Sequence, residues 1–419
     1  MDYKKLRTKY PKFYYKSYKW EIVKNDLNVA FQFFAGDEYG FTPTLNFKNV
    51  DMNHVNLIHD SIDNIVFNIG LVELLSYWKA FVSPEIVIEC GSLDNYQTKW
   101  WQDLLLNGMG QFFYENDIDF TEKEFAKFVS IGKNKNTKPL KITSDKILIP
   151  IGGGKDSSVT IEILSKNFKE VSAFLLNPSK ASLETSKLTG LSDLVVEREL
   201  DKKLLELNEA GFLNGHTPFT ALLSFVSILS AVVGNFGSVI FSNERSSDEE
   251  NTIFKGKNIN HQYSKTFDFE NKFREYNLKY LSNVNYFSFL RPLYDIQIAK
   301  IFSKFDKYPH VIRSCNVGQK TNSWCGKCPK CLSTFILLYP FLKDKTIRIF
   351  GKNLLEDKSL KPMLNSLISE TEVKPFECVG TREELKVALG MIDGKRILNS
   401  WGNENNLPGE YKEVLKKYI

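Results

Sequence analysis

Between Lys146 and Asn243 short apolar runs alternate with helix-like stretches. The order is KILIPI, SSVTIEILSKNF, VSAFLLN, a segment ending LVVEREL, an apolar stretch from Thr217, and SVIFSN. Runs this short, apolar on both faces and separated by helices, predict βαβ units and a parallel sheet. The stretch PFTALLSFVSILSAVVG opens on Thr217-Pro218, an N-cap and first-turn pair, and stops at Gly234. It is shorter than the roughly 20 residues of a membrane span and predicts a helix buried in a core. Upstream, NIVFNIGLVELLSYWKAF predicts a helix and EIVIEC a strand. The polar, Lys-rich GKNKNTKPLKITSDK, Gly132 to Lys146, reads as a linker or exposed hairpin. The pattern therefore divides the chain into an N-terminal α+β part, residues 1–140, and a parallel-sheet part, residues 141–345. Residues 346–419 are expected to form a mainly helical extension.

The length of 419 residues exceeds what one core usually serves, and 42% hydrophobic and 25% charged residues are ordinary for a globular protein. A net charge of +5 is small for this length, so no nucleic-acid partner is expected. The basic, aromatic KKLRTKYPKFYYKSYKW near the N-terminus is read as an amphipathic, partly buried face rather than a base-stacking surface. It contains no apolar core of a secretory signal. Neither a membrane partner nor export is expected, and the cytoplasm is the default compartment.

The stretch IPIGGGKDSSVTIEIL places three glycines between a strand and a helix. Gly152, Gly153 and Gly154 let backbone amides approach an anion closely, and the helix that follows directs free amides at the same spot. Lys155 adds a positive charge and Ser157 a hydroxyl donor. Phosphate is the natural guest. The stretch is neither GxxxxGK[ST] nor GxGxxG; it resembles the SGGxDS loop of the N-type ATP pyrophosphatases, with Gly152 where that loop usually has Ser. The competing reading is a glycine turn with Asp156 as helix N-cap.

Cys315, Cys325, Cys328 and Cys331 form C-x9-C-x2-C-x2-C. The two-residue spacers let thiolates converge on one ion, which suits tetrahedral zinc; an iron-sulfur cluster could use the same ligands. Cys90 and Cys378 stand apart, which argues against a secreted disulfide framework.

Taken in order, IGLVELLSYWKA, LLLNGMGQFFYEN, GGGKDS, NGHTP, SNERSSDEEN, NINHQYSKTFDFE, YFSFLRPL, WCGKCPKC and KPFECVGT resemble the ATP-dependent UDP-N-acetylmuramoyl-L-alanyl-L-glutamate epimerases. The resemblance covers most of the chain. It implies an α/β fold: a PP-loop, adenine nucleotide alpha hydrolase-like domain with a parallel sheet, preceded by an α+β domain. It also implies epimerisation of the terminal glutamate of a nucleotide-sugar peptide in peptidoglycan precursor synthesis, using ATP and Mg²⁺. Gly152 to Ser157 would then hold the ATP phosphates, with Asp156 a magnesium ligand, Asn177 near the adenosine, and Asn243 and Glu244 on the ligand side of their strand. Helix capping before SSDEEN remains open for those last two. His261, Tyr263, Lys265 and Glu244 are the acid-base candidates, and Arg291 and His216, or Lys265, would hold substrate carboxylates or diphosphate. Two further classes share the loop: an adenylating enzyme of the 7-cyano-7-deazaguanine synthase or tRNA-modifying kind, which the four cysteines also suit, and a non-catalytic nucleotide sensor.

Overall fold

Neighbouring residues on the strands of the parallel sheet after Lys146 enter different hydrophobic cores. In Ile147–Pro150, Leu148 packs into one core while Ile147 and Ile149 pack into another. Phe174 is likewise separated from Ala173 and Leu175, and Val239 and Phe241 from Ile240. Period-two alternation between two apolar environments is what a sheet covered on both faces requires. The computed structural model, which describes residues 1–51, 55, 58–133 and 138–419, has that architecture.

The strands are β1 (Lys12–Val23), β2 (Asp26–Ala35), β3 (Tyr39–Phe41), β4 (Thr44–Phe47), β5 (Glu85–Ile88), β6 (Lys127–Ser130), β7 (Ile147–Pro150), β8 (Val171–Leu176), β9 (Asp193–Glu199), β10 (Ser238–Phe241), β11 (Thr252–Phe254), β12 (Lys257–Ile259) and β13 (Asn285–Ser288). Among the described residues, β11 and β12 form a separate hairpin. The others make one sheet in the order β13-β10-β7-β8-β9-β4-β2-β1-β5-β6, with β3 on β2. From β13 to β9 all pairs are parallel, as the alternating runs predict. β9 then pairs antiparallel with β4, so the sheet continues into the N-terminal strands. The sheet crosses the division expected near residue 140, and between Ile147 and Phe287 successive strand residues enter the two cores in turn. Of the predicted linker, residues 134–137 lie outside the described ones; Leu140 bridges in parallel to Ser282.

The basic aromatic stretch is divided between the helix Tyr3–Lys9 and β1, an amphipathic strand with Phe13 and Tyr15 buried and Lys12 and Lys19 exposed. The helix His59–Trp78 is apolar around its circumference because it packs on β1 and also against the helix Phe219–Val233. Gly70 permits the close approach to β1, since a Cβ there would stand 1.9 Å from Tyr15 Oη. Glu73 on the same helix is buried and accepts from Arg198 Nε and Nη2, both at 2.8 Å, which ties the helix to β9. Deleting one partner of a buried pair of this kind costs about 3–5 kcal/mol. The helix Phe219–Val233 starts after Pro218, whose ψ of 71° leaves it outside as the cap, and it stops at Gly234.

The opposite face carries the helices Lys155–Asn167, Asp295–Phe302 and Pro329–Leu342. The short helices after residue 346 bury Leu367, Leu385, Ile397, Tyr411 and Leu415 in the same core. No helix among the described residues is long and apolar enough to cross a membrane.

Candidate functional site

Beyond the carboxyl ends of β7, β8 and β10 lies a cleft of about 300 Å³, where a parallel sheet characteristically meets its ligand. Its floor is the glycine turn after β7. Gly153 has φ +81°, and a Cβ on it would stand 2.6 Å from the Ser182 backbone nitrogen, so only glycine fits. At Gly152 a Cβ would meet nothing within 4 Å, so the site has room for the Ser found in similar loops. The helix begins at Lys155 with Gly154 as its cap. Asp156 therefore sits in the first turn rather than at the cap, where the helix dipole favours an anion. The Arg313 backbone N–H donates to the Gly153 carbonyl at 2.8 Å and fastens the turn from outside.

Charge is concentrated here. Lys155 is only 6% exposed and donates to Asp156 Oδ1 at 2.6 Å and to Asp295. Burial alone would lower its pKa, but the two carboxylates outweigh burial and hold the ammonium above its ordinary value. Asp295 is raised to about 7 by burial, with Asp156 and Glu244 adding to the effect and Lys155 opposing it. Glu244 also rises to about 7, through burial and the Asp156 charge, against Lys265 and Lys155. Three carboxyl groups thus share the cleft with the ammonium groups of Lys155, Lys265 and Lys330, and burial together with repulsion between the carboxylates holds a proton on them near neutral pH.

Of the residues singled out in the sequence, Gly152, Gly154, Lys155, Asp156, Ser157, Asn243, Glu244 and Lys265 line the cleft, and Gly153 shapes its floor. Asn177 does not line it. Its φ is +45°, and its side chain bonds both the N–H and the C=O of Arg198, closing the ends of β8 and β9 together. Tyr263 turns away from the cleft, its hydroxyl donating to Asp103. Arg291 is 1% exposed and donates to the backbone carbonyls of Glu244, at 2.8 Å, and of Lys265, so it holds these residues rather than a ligand. His216 and His261 meet with ring centroids 4.5 Å apart and ring planes tilted by 50°, and His261 Nδ1 meets Gln111; neither lines the cleft. Burial first, then neighbouring positive charges, push both imidazoles down to about 3, so they are neutral at physiological pH. Asp295, Arg313, Lys330 and Cys378 line the cleft without having been singled out as site residues.

Cys315, which also borders the cleft, meets Cys325, Cys328 and Cys331, with the four Sγ atoms all within 4.8 Å of one another. Cys315 to Cys328 is 3.8 Å and Cys325 to Cys331 is 3.7 Å. Four thiols so gathered could hold a metal ion. Cys328 also caps the helix Pro329–Leu342 by accepting from the Cys331 N–H. The cysteine cluster thereby anchors the segment whose Arg313 fastens the glycine turn.

Two family descriptions match the chain: MurL N-terminal domain over residues 4–289 and MurL C-terminal domain over residues 311–410. Three curated relatives carry the name UDP-N-acetyl-alpha-D-muramoyl-L-alanyl-L-glutamate epimerase. The protein of Xanthomonas oryzae pv. oryzae is 35% identical over 359 residues, 83% of this chain and 76% of the relative. That of a Micromonospora species is 32% identical over 324 residues, 76% and 72% of the two chains. That of Salinispora tropica is 37% identical over 293 residues, 68% and 64% of the two chains.

The glycine turn gives a direct test. Gly153→Ala is expected to lower folding stability by at least about 1 kcal/mol, because alanine must adopt a positive φ there and meets the Ser182 backbone. Gly152→Ala should leave it nearly unchanged. Equal thermal unfolding of the two variants would contradict this geometry.

Proposed function

Because the chain belongs to the MurL family, we propose that it epimerises the terminal L-glutamate of UDP-N-acetylmuramoyl-L-alanyl-L-glutamate, converting ATP to AMP and diphosphate through an acyl-adenylate on a PP-loop fold. That it is an enzyme, and an isomerase, follows from relatives named as epimerases. The observation that carries the finer reading is that a glycine turn suited to phosphates and a set of proton-exchanging groups share one cleft. A nucleotide-linked precursor and ATP as substrates favour the cytoplasm as the compartment of the reaction.

ATP has a physical reason. A free carboxylate resists loss of its α-proton because a second negative charge would form beside the first. Adenylation removes that obstacle, and the resulting carbanion can delocalise as an enolate. In this reading the amides of the glycine turn hold phosphate oxygens, Lys155 balances their charge, and Phe174, Leu176 and Phe241 offer apolar walls to the base. Asp156 would hold a magnesium ion together with phosphate oxygens, and that ion would neutralise charge on the leaving diphosphate. Lys265 offers an ammonium to the enolate, and Glu244, which burial raises to about 7, offers a proton. Arg291 keeps Glu244 and Lys265 in place.

The cysteine cluster fits zinc. Zinc–thiolate bonds of about 2.3 Å imply a tetrahedral edge of roughly 3.8 Å, and the Cys315–Cys328 and Cys325–Cys331 separations are 3.8 and 3.7 Å. The site is structural in this reading, since four thiolates leave no open position. A 7-cyano-7-deazaguanine synthase-like or tRNA-modifying enzyme would share the cysteines and the loop, and differs in which acceptor triggers diphosphate release.

Incubation with ATP, Mg²⁺ and the nucleotide-linked peptide should yield AMP, diphosphate and D-glutamate at the peptide end. Lys155→Ala and Asp156→Asn should each fold and release no diphosphate. Wild-type release from both variants, or release without inversion, would count against the reading. Purified protein should contain about one zinc per chain, and Cys328→Ser should lose both the metal and thermal stability. Iron with a visible absorption band would show an iron-sulfur cluster instead.

A further inference from the structure

Cys378 reaches the cleft on a segment held at both ends. At one end Lys374 Nζ pairs with Glu249, and Asn251 Nδ2 donates to the Pro375 carbonyl at 2.9 Å. At the other, the Gly380 N–H donates to Ser333 Oγ at 3.2 Å. Between these ties, Cys378 Sγ stands 3.1 Å from Lys265 Nζ, and Cys378, Glu244, Asp156 and Lys330 all line the cleft. The cysteine cluster takes the four other cysteines of this half of the molecule, and Cys90 follows β5 and packs against the other core, so Cys378 is the thiol of the cleft that no metal reading absorbs. It is half-buried, within reach of a bound molecule.

The charges around the thiol favour its reactive form. Burial would raise its pKa, but Lys265 and Lys330 outweigh burial and hold it below the ordinary thiol value; Asp156, Glu244 and Glu377 are the opposing charges. A thiol whose pKa is lowered by an ammonium is more readily present as thiolate near neutral pH, where it can take a proton from an activated carbon.

We propose that Cys378 is a catalytic residue of the epimerisation, its thiolate taking the α-proton of the activated terminal glutamate while Lys265 holds the thiolate and faces the developing enolate. The Cα–H bond breaks, its proton forms Cys378 S–H, and its electron pair enters the acyl group as the enolate. A proton from the Glu244 carboxyl then forms the new Cα–H bond on the opposite face, and the enolate pair returns to carbon. Hydrolysis releases AMP and the D-epimer, and the thiol and the Glu244 carboxylate reset by proton exchange with water. This assignment rests on the proposed epimerase reading.

The test compares wild-type and Cys378→Ser protein, both in metal-loaded form, with ATP, Mg²⁺ and the nucleotide-linked peptide, scoring diphosphate and D-glutamate in the same samples. Diphosphate release should stay within about threefold, since the adenylate still forms and hydrolyses without inversion, while D-glutamate formation should fall by about 10²–10⁴-fold, the usual worth of an acid-base group. In a second measurement, iodoacetamide on the wild-type protein should abolish inversion in step with carboxamidomethylation of Cys378. D-glutamate formation within a few-fold of wild type in Cys378→Ser overturns the assignment. So does parallel loss of both products with full inversion surviving alkylation. A wild-type protein that makes diphosphate but no D-glutamate would overturn the epimerase reading itself.

Discussion

Arg291 never reaches the cleft, yet the distance between its working groups depends on it. The guanidinium is 1% exposed, donates to the Glu244 carbonyl at 2.8 Å and to the Lys265 carbonyl, and lies 3.5 Å from Glu270. It therefore joins the end of β10 to the turn that carries Lys265, two pieces of chain with no strand pairing between them. A planar fork of five donors suits this junction; a lysine, with one point of attachment, would not fix both carbonyls at once. Such a buried charge is stable only while its partners remain, which makes the spacing of Glu244 and Lys265 a property of the folded core rather than of a mobile loop.

The rest of the cleft is held by comparable ties from outside. The glycine turn is fixed by Arg313, whose segment is anchored by the cysteine cluster. Asp295 opens the helix Asp295–Phe302, and Ile296 N–H is taken by Glu384 from the C-terminal part, so the acid that partners Lys155 is positioned by a side chain 88 positions from its neighbour Ile296. The cleft is thus assembled from the parallel sheet, the cysteine cluster and the C-terminal helices together. None of the three contributes only stability.

Local features were legible in the sequence and long-range ones were not. Period-two runs and the glycine turn announce themselves because their geometry is set by residues close together in the chain. Lys155 and Asp295 are 140 residues apart, and Lys265 and Cys378 are 113 apart, so neither pairing leaves a local signature. Cys378 stood inside a recognisable stretch, KPFECVGT, without any spacing to mark it as part of a site. Tyr263 illustrates the reverse error. It lies two positions from Lys265, but the single turn between Tyr263 and Lys265 sends its hydroxyl to Asp103 instead of the cleft. Arg291 looked like a ligand for carboxylates because arginine commonly is one; only burial reveals that backbone carbonyls occupy it. The continuity of the sheet through β9 and β4 was also hidden, since an antiparallel pair between distant segments has no sequence mark of its own.

In the proposed mechanism ATP is consumed in order to make the α-carbon of a terminal glutamate acidic. The most direct measurement is the isotope content of that carbon after reaction in D₂O with ATP, Mg²⁺ and the nucleotide-linked peptide. One deuterium is expected at Cα in every D-configured product molecule, and none when ATP is left out. Cleavage of ATP to AMP and diphosphate with the glutamate retaining its original hydrogen and L configuration would contradict that mechanism.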